Sequence, residues 1–234
     1  MIKTRCWVIA ISIISLITGI FISRYLSVTA SSGDSINNRT VVIIDAGHGG
    51  EDGGAISCTG VLESHINLQI AQKLNHIMHL LGWKTYMIRK EDVSIYTEGT
   101  TLSQKKVSDL KERVRIVNST PTAVLISIHQ NHYVDSRYHG AQVFYAPSDG
   151  SKLLAESIQK NFLSTINSGS RRNIKPADGI YLMQHCTCAA VLVECGFLSH
   201  FEEETMLRDP DYQRSISAII AVSISTYLKD SLLT

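Results

Sequence analysis

Residues 41–54 read VVIIDAGHGGEDGG, and the fold is decided by how this stretch changes character halfway. VVIID is a short unbroken apolar run rich in β-branched side chains, the composition of a strand covered on both faces. Ala46-Gly47 ends it, and a glycine-rich polar loop comes next. Strands buried on both sides occur in parallel sheets whose crossovers are helices, so a helix should succeed the loop. Between 63 and 81, Ile66, Ile70, Leu74, Ile77, Met78 and Leu81 recur at helical spacing, with Gly82 as a natural stop.

The alternation continues down the chain. WKTYMIR (83–89) alternates like a strand, and residues 103–118 carry Val107, Leu110, Val114 and Val117 on one helical stripe. AVLISI (123–128) and GAQVFYA (140–146) read as strands. A helix around 151–167 places Leu154, Ile158, Phe162 and Ile166 on one side. GIYLM (179–183) and AAVLVE (189–194) read as two further strands. Ser199 with Glu202 matches a capping box opening a short acidic helix, and Asp209-Pro210 supplies an N-cap and a first-turn proline. The last helix runs through Ile216, Ile219, Ile220 and Ile224 to about Leu228. The expected fold class is α/β, a single domain over 41–230 with a largely parallel central sheet flanked by helices.

Upstream of residue 41 the composition differs. Residues 31–40, SSGDSINNRT, read as a polar linker, and Cys6 to Ser23, CWVIAISIISLITGIFIS, carry no charge. A helix of that length spans about 27 Å, close to a ~30 Å hydrocarbon core. Lys3 and Arg5 precede it, an orientation that exports the downstream chain. Residues 1–30 therefore read as a hydrophobic signal or membrane anchor; Val28-Thr29-Ala30 fits a cleavage site, whereas Arg24 and the length of the run fit an anchor. The whole chain has 22 Lys+Arg against 21 Asp+Glu, a net charge of +1. Lys3, Arg5 and Arg24 account for that excess; without residues 1–30 the count is 19 against 21, or −2. Such a balance gives no reason to expect nucleic acid, and 44% hydrophobic residues exclude a largely disordered chain. The five cysteines are too few and too scattered for a disulfide framework, and read as small apolar core residues.

Functional groups in open α/β sheets gather beyond the carboxyl ends of the strands. Three polar features lie there: Asp45 to Gly50 with His48, His129-Gln130-Asn131-His132, and Glu194 before Cys195-Gly196-Phe197. Glu63 heads the first helix, whose N-terminus faces the same edge. Two histidines, a carboxylate and an open position make a catalytic zinc set, and a second carboxylate can serve as base. The loop could instead cradle phosphate, but no Lys-[Ser/Thr] lies at P-loop spacing. Residue types and spacing thus point to a zinc hydrolase without naming its substrate.

Four segments, VVIIDAGHGGEDGGA, GVLESHINLQIAQKL, LISIHQNH and AAVLVECGFLSHFEEETML, together resemble the zinc-dependent N-acetylmuramoyl-L-alanine amidase family of the Amidase_3 type, over about 41–229. The resemblance implies that His48, Glu63 and His129 hold one Zn2+ ion and that Glu194 is the catalytic carboxylate. It implies a peptidoglycan substrate, cut at the amide between the lactyl group of muramic acid and L-alanine. Arg89 and Arg113 match family arginines and read as structural ion-pair partners; Asp45 could orient His48 or cap a turn, and Asn131 could hold substrate. A lone amidase domain behind a hydrophobic segment further resembles the germination-specific amidases of spore formers, which implies action on spore cortex outside the cytoplasmic membrane. An activating partner protein or a homodimer is compatible with this. The rival readings are a zinc peptidase acting on stem peptides and a non-catalytic wall-binding protein.

Overall fold

The computed structural model describes residues 40–231. The expected signal or anchor at 1–30 and most of the linker lie outside the described residues. Among the described residues no helix is long and apolar enough to cross a membrane. Six strands, β1 (Val41–Ala46), β2 (Lys84–Met87), β3 (Ala123–Asn131), β4 (Gln142–Tyr145), β5 (Lys175–Pro176) and β6 (Ala189–Phe197), form one sheet in the order β2-β1-β3-β6-β4-β5. β2, β1, β3 and β6 run parallel, and β4 is antiparallel to β6. β5 is a two-residue edge strand, where Pro176 costs no ladder hydrogen bond.

The helices are α1 (Glu63–Leu80), α2 (Leu102–Asn118), α3 (Ser151–Leu163), α4 (Tyr181–His185), α5 (Phe201–Arg208) and α6 (Pro210–Asp230). α1, α3 and α6 pack together over one sheet face; α2 and α4 cover the other. This explains the continuous apolar runs of β1, β3 and β6, because Val42, Ile44 and Ile126 need one layer of helices and Ile43, Leu125 and Leu192 the other.

The 179–183 strand expected from GIYLM is instead the short helix α4. Leu182 and Met183 are adjacent yet both buried, and Cys186 joins them in the same core cluster. That is a helical spacing, which alternation along a strand cannot reproduce. α2 turns a partly polar face inward: Ser108, Arg113 and Val117 are its buried residues, while Val107 of the expected stripe is exposed. The cap of α5 also differs. His200 is the N-cap and its Nδ1 accepts from the Glu203 N–H, while the Ser199 hydroxyl accepts from Tyr133 N–H. Asp209 caps α6 as expected, accepting from Asp211 N–H ahead of Pro210. Cys186 and Cys195 are buried and Cys188 is half-buried, but Cys58 is exposed and takes no part in the core.

Candidate metal centre

β1, β3 and β6 end side by side, so the polar groups at the ends of their apolar runs meet at one edge of the sheet. Register pairs Asp45 with Ser127, and His129 with Glu194. Glu63, the first residue of α1, is only 3% exposed and reaches back between the two histidines. Its Oε2 lies 3.2 Å from His48 Nε2 and its Oε1 lies 3.0 Å from His129 Nδ1. The imidazole rings meet edge to face with centroids 4.9 Å apart. One donor atom from each of His48, Glu63 and His129 falls within 4.8 Å of the other two, so these three can hold a metal ion.

Two glycines make this approach possible. A Cβ on Gly47 would stand 2.1 Å from the His129 ring. One on Gly54 would stand 2.6 Å from Glu63 Oε2 and 2.7 Å from the His48 ring, and Gly54 also has φ +70°. His48 itself carries φ 61°, a left-handed conformation uncommon outside glycine. Its carbonyl is held by Arg113 Nη2 at 2.9 Å, and Arg113 Nη1 donates to the Ala46 carbonyl at 3.0 Å. Arg89 donates to the carbonyls of Ala46, Gly47 and Ser64. Together the two buried guanidiniums fix the backbone that delivers His48. Arg113 completes its set with Asp109 and with Asp45, which also accepts from the Ser127 hydroxyl. Neither arginine faces open solvent; Arg113 is the buried ion-pair partner expected, whereas Arg89 spends its donors mainly on backbone carbonyls and approaches a carboxylate only at Asp92, at 3.8 Å.

Asp45 therefore supports His48 only through Arg113. The residue that orients the ring is Asp52, whose Oδ2 lies 2.9 Å from His48 Nδ1, leaving Nε2 directed at Glu63. Asp52 is steadied by Lys106 Nζ at 2.7 Å. Sequence reading missed it, although a carboxylate four residues after a candidate ligand in the same loop was visible. Asn67 and Gln130 were missed as well. Asn67 Nδ2 and the Gln130 N–H both donate to Glu63 Oε1, and Gln130 Nε2 donates to Asn67. Asn67 sits one helical turn after Glu63, the spacing at which a helix brings two side chains together. Asn131 is half-buried at the end of β3, paired in register with Phe197.

The electrostatics are those of a cation cradle. Burial pushes the Glu63 carboxyl up, but His129 and His48 outweigh it and hold the group well below the carboxylate range. Burial would lower His48, yet Asp52 and Glu63 raise it to about 9. Glu194 differs: burial, opposed by His129 and reinforced by Glu63, pushes it up to about 7. Its Oε2 is buried with no hydrogen-bond partner. A buried carboxylate oxygen without a donor is costly in a finished structure, which marks a position open to a further group. Two imidazoles and a carboxylate with an adjacent free carboxylate are a donor set suited to zinc.

The fold and this edge define an α/β protein with a candidate metal site beyond the carboxyl ends of its parallel strands. A family model described as N-acetylmuramoyl-L-alanine amidase matches residues 42–226, and the chain belongs to that family. It is 33% identical over 192 residues to the germination-specific N-acetylmuramoyl-L-alanine amidase of Bacillus subtilis, covering 81% of this chain and 80% of that protein. Among solved structures it is similar to the CwlD amidase from Clostridioides difficile in complex with the GerS lipoprotein, at 37% identity and TM-score 0.78, covering 81% of this chain and 98% of that one. A second N-acetylmuramoyl-L-alanine amidase, from Clostridium difficile 630, matches at 29% identity and TM-score 0.72 over 82% of this chain and 98% of that one.

Proposed function

We propose that this amidase is zinc-dependent, with one Zn2+ held by His48, Glu63 and His129, and that Glu194 carries the proton in cleavage of the amide between the muramic lactyl group and L-alanine of the peptidoglycan stem. The observation that carries the proposal is the convergence of those three donors beside the unpartnered Oε2 of Glu194. When bound, zinc supplies Lewis-acid chemistry, making water a better nucleophile and polarising the scissile carbonyl. Glu194 accepts the proton of the attacking water and returns it to the L-alanine nitrogen as the C–N bond breaks. Burial raises the Glu194 carboxyl above its ordinary value, which favours uptake of the water's proton. Asp52 holds Nδ1 of His48 so that Nε2 stays available.

The likeness to a germination-specific amidase supports a role in spore cortex, where stripping stem peptides from muramic acid prepares the δ-lactam. In this reading residues 1–30 export or anchor the chain, 31–40 tether it, and 41–230 form the catalytic domain outside the cytoplasmic membrane. The similar solved amidase is in complex with a lipoprotein, which supports a partner protein for this chain, one that we propose to be activating. The test is product analysis. The full chain incubated with zinc and peptidoglycan should release stem peptides beginning with a free L-alanine amine, identified by mass spectrometry. Products cut within the stem, with L-alanine still on the glycan, would favour a peptidase; no product with or without partner would favour a wall-binding protein.

A further inference from the structure

Residues 168–177, SGSRRNIKPA, carry three cations and no acid in a body that is otherwise mildly acidic. Gly169 to Lys175 of this stretch line a cleft of about 570 Å³ together with Arg137, Tyr138, His139 and Gln142. Arg137 is committed to Asp135. Arg171 and Lys175 are exposed, and Arg172 lies half-buried over the Phe197 ring at 4.5 Å. Arg172 donates through Nε to the His139 carbonyl and through Nη1 to Gln142 Oε1, both at 2.7 Å. The carboxylate acting on Arg172, Glu203, spends its oxygens on the Gly140 and Phe197 N–H groups. The cleft thus gathers cationic charge that its surroundings leave largely unneutralised.

Its position is what gives this charge a use. Gln142 on β4 is the register partner of Glu194 on β6. Register partners in antiparallel strands share a face and stand about 5 Å apart. Gln142, whose Oε1 accepts from Arg172, therefore stands beside Glu194 in the sheet, and the cleft opens one strand beyond that carboxylate. In the substrate, the residue after L-alanine is a γ-linked glutamate with a free α-carboxylate. At ~3.5 Å per residue, that carboxylate lies roughly 7 Å from the scissile nitrogen in an extended stem. A guanidinium fork beside a lysine suits such a group.

We propose that the Arg171–Arg172–Lys175 cleft is a specificity subsite for the α-carboxylate of the second stem residue, so that the enzyme prefers an acidic stem over one whose carboxylate is amidated. This rests on the amidase reading above. The experiment measures binding of two disaccharide tripeptides, one with the free carboxylate and one with its amide, by calorimetry on the zinc-loaded full chain, alongside turnover of both. The acid should bind about tenfold more tightly, the order expected for charge-assisted hydrogen bonds. Arg171→Ala/Lys175→Ala should erase that preference, and Arg172→Gln should do the same. Lys229→Ala, an exposed cation at the end of α6, should keep it. Equal binding of acid and amide, binding of neither, or a preference that survives the double variant would overturn the subsite. A binding preference without turnover of either compound would instead fault the amidase reading and leave the subsite standing.

Discussion

Replacing Arg113 with methionine should destabilise the domain by about 3–5 kcal/mol near neutral pH, the usual cost of removing one member of a buried ion pair. Arg113 is 2% exposed and Asp45 is 1% exposed, so water cannot stand in for the lost guanidinium. Asp45 would keep only the Ser127 hydroxyl, and the carbonyls of Ala46 and His48 would each lose a donor. With an m-value of roughly 2–3 kcal/mol/M for a domain of this size, the urea midpoint should fall by about 1–2.5 M. The pH dependence sharpens the test. In the native protein burial raises the Asp45 carboxyl, but Arg113, Ser127 and His129 together hold it below the usual value. The stability this contributes is present above the unfolded pKa of about 3.9 and is lost as pH falls through the lower folded value. Without Arg113, burial dominates and the folded pKa lies above the unfolded one, so protonation favours the folded variant. The gap between the two proteins should therefore narrow from pH 7 to pH 4.5, measured by urea denaturation of chelated samples. A gap under about 1 kcal/mol at pH 7, or one that widens in acid, would refute the role assigned to the pair.

The same geometry leads to three further outcomes. Asp52→Ala should weaken zinc affinity by about 10–100-fold in competition with a chromogenic chelator while leaving the circular dichroism spectrum unchanged; unaltered affinity would remove Asp52 from the site. Zinc binding at pH 7.5 should release about one proton, because His48, raised to about 9 in the metal-free molecule, must give its proton up. Calorimetry in buffers of different ionisation enthalpy would register this, and a binding enthalpy independent of buffer would contradict it. Gly47→Ala should abolish zinc binding or folding, since its Cβ would stand 2.1 Å from the His129 ring; full zinc occupancy of a native-like variant would show that the loop relaxes freely.

The parallel sheet was legible because β1, β3 and β6 are buried on both faces and so appear as continuous apolar runs. His48, His129 and Glu194 were legible for a related reason: each succeeds or ends such a run, where polar residues serve no packing purpose. α4 was not, because five residues are too few to display a period, and only the core cluster around Leu182, Met183 and Cys186 reveals the helical face. Asp52 went unread because its task depends on the left-handed backbone of His48, which local propensity does not announce. The pairing of Arg113 with Asp45 spans 68 residues, a contact that only tertiary structure creates.

Glu194→Gln is the most direct probe of the division of labour at the site, assayed for bound zinc and for released L-alanine-terminated peptide in parallel with the wild-type chain. The variant keeps the volume and polarity of the side chain and loses only its capacity to take a proton. Metal stoichiometry equal to wild type with peptide release reduced by at least about a thousandfold is the expected result. Substantial release by the variant, or loss of its zinc, would contradict the separate roles of the three donors and Glu194.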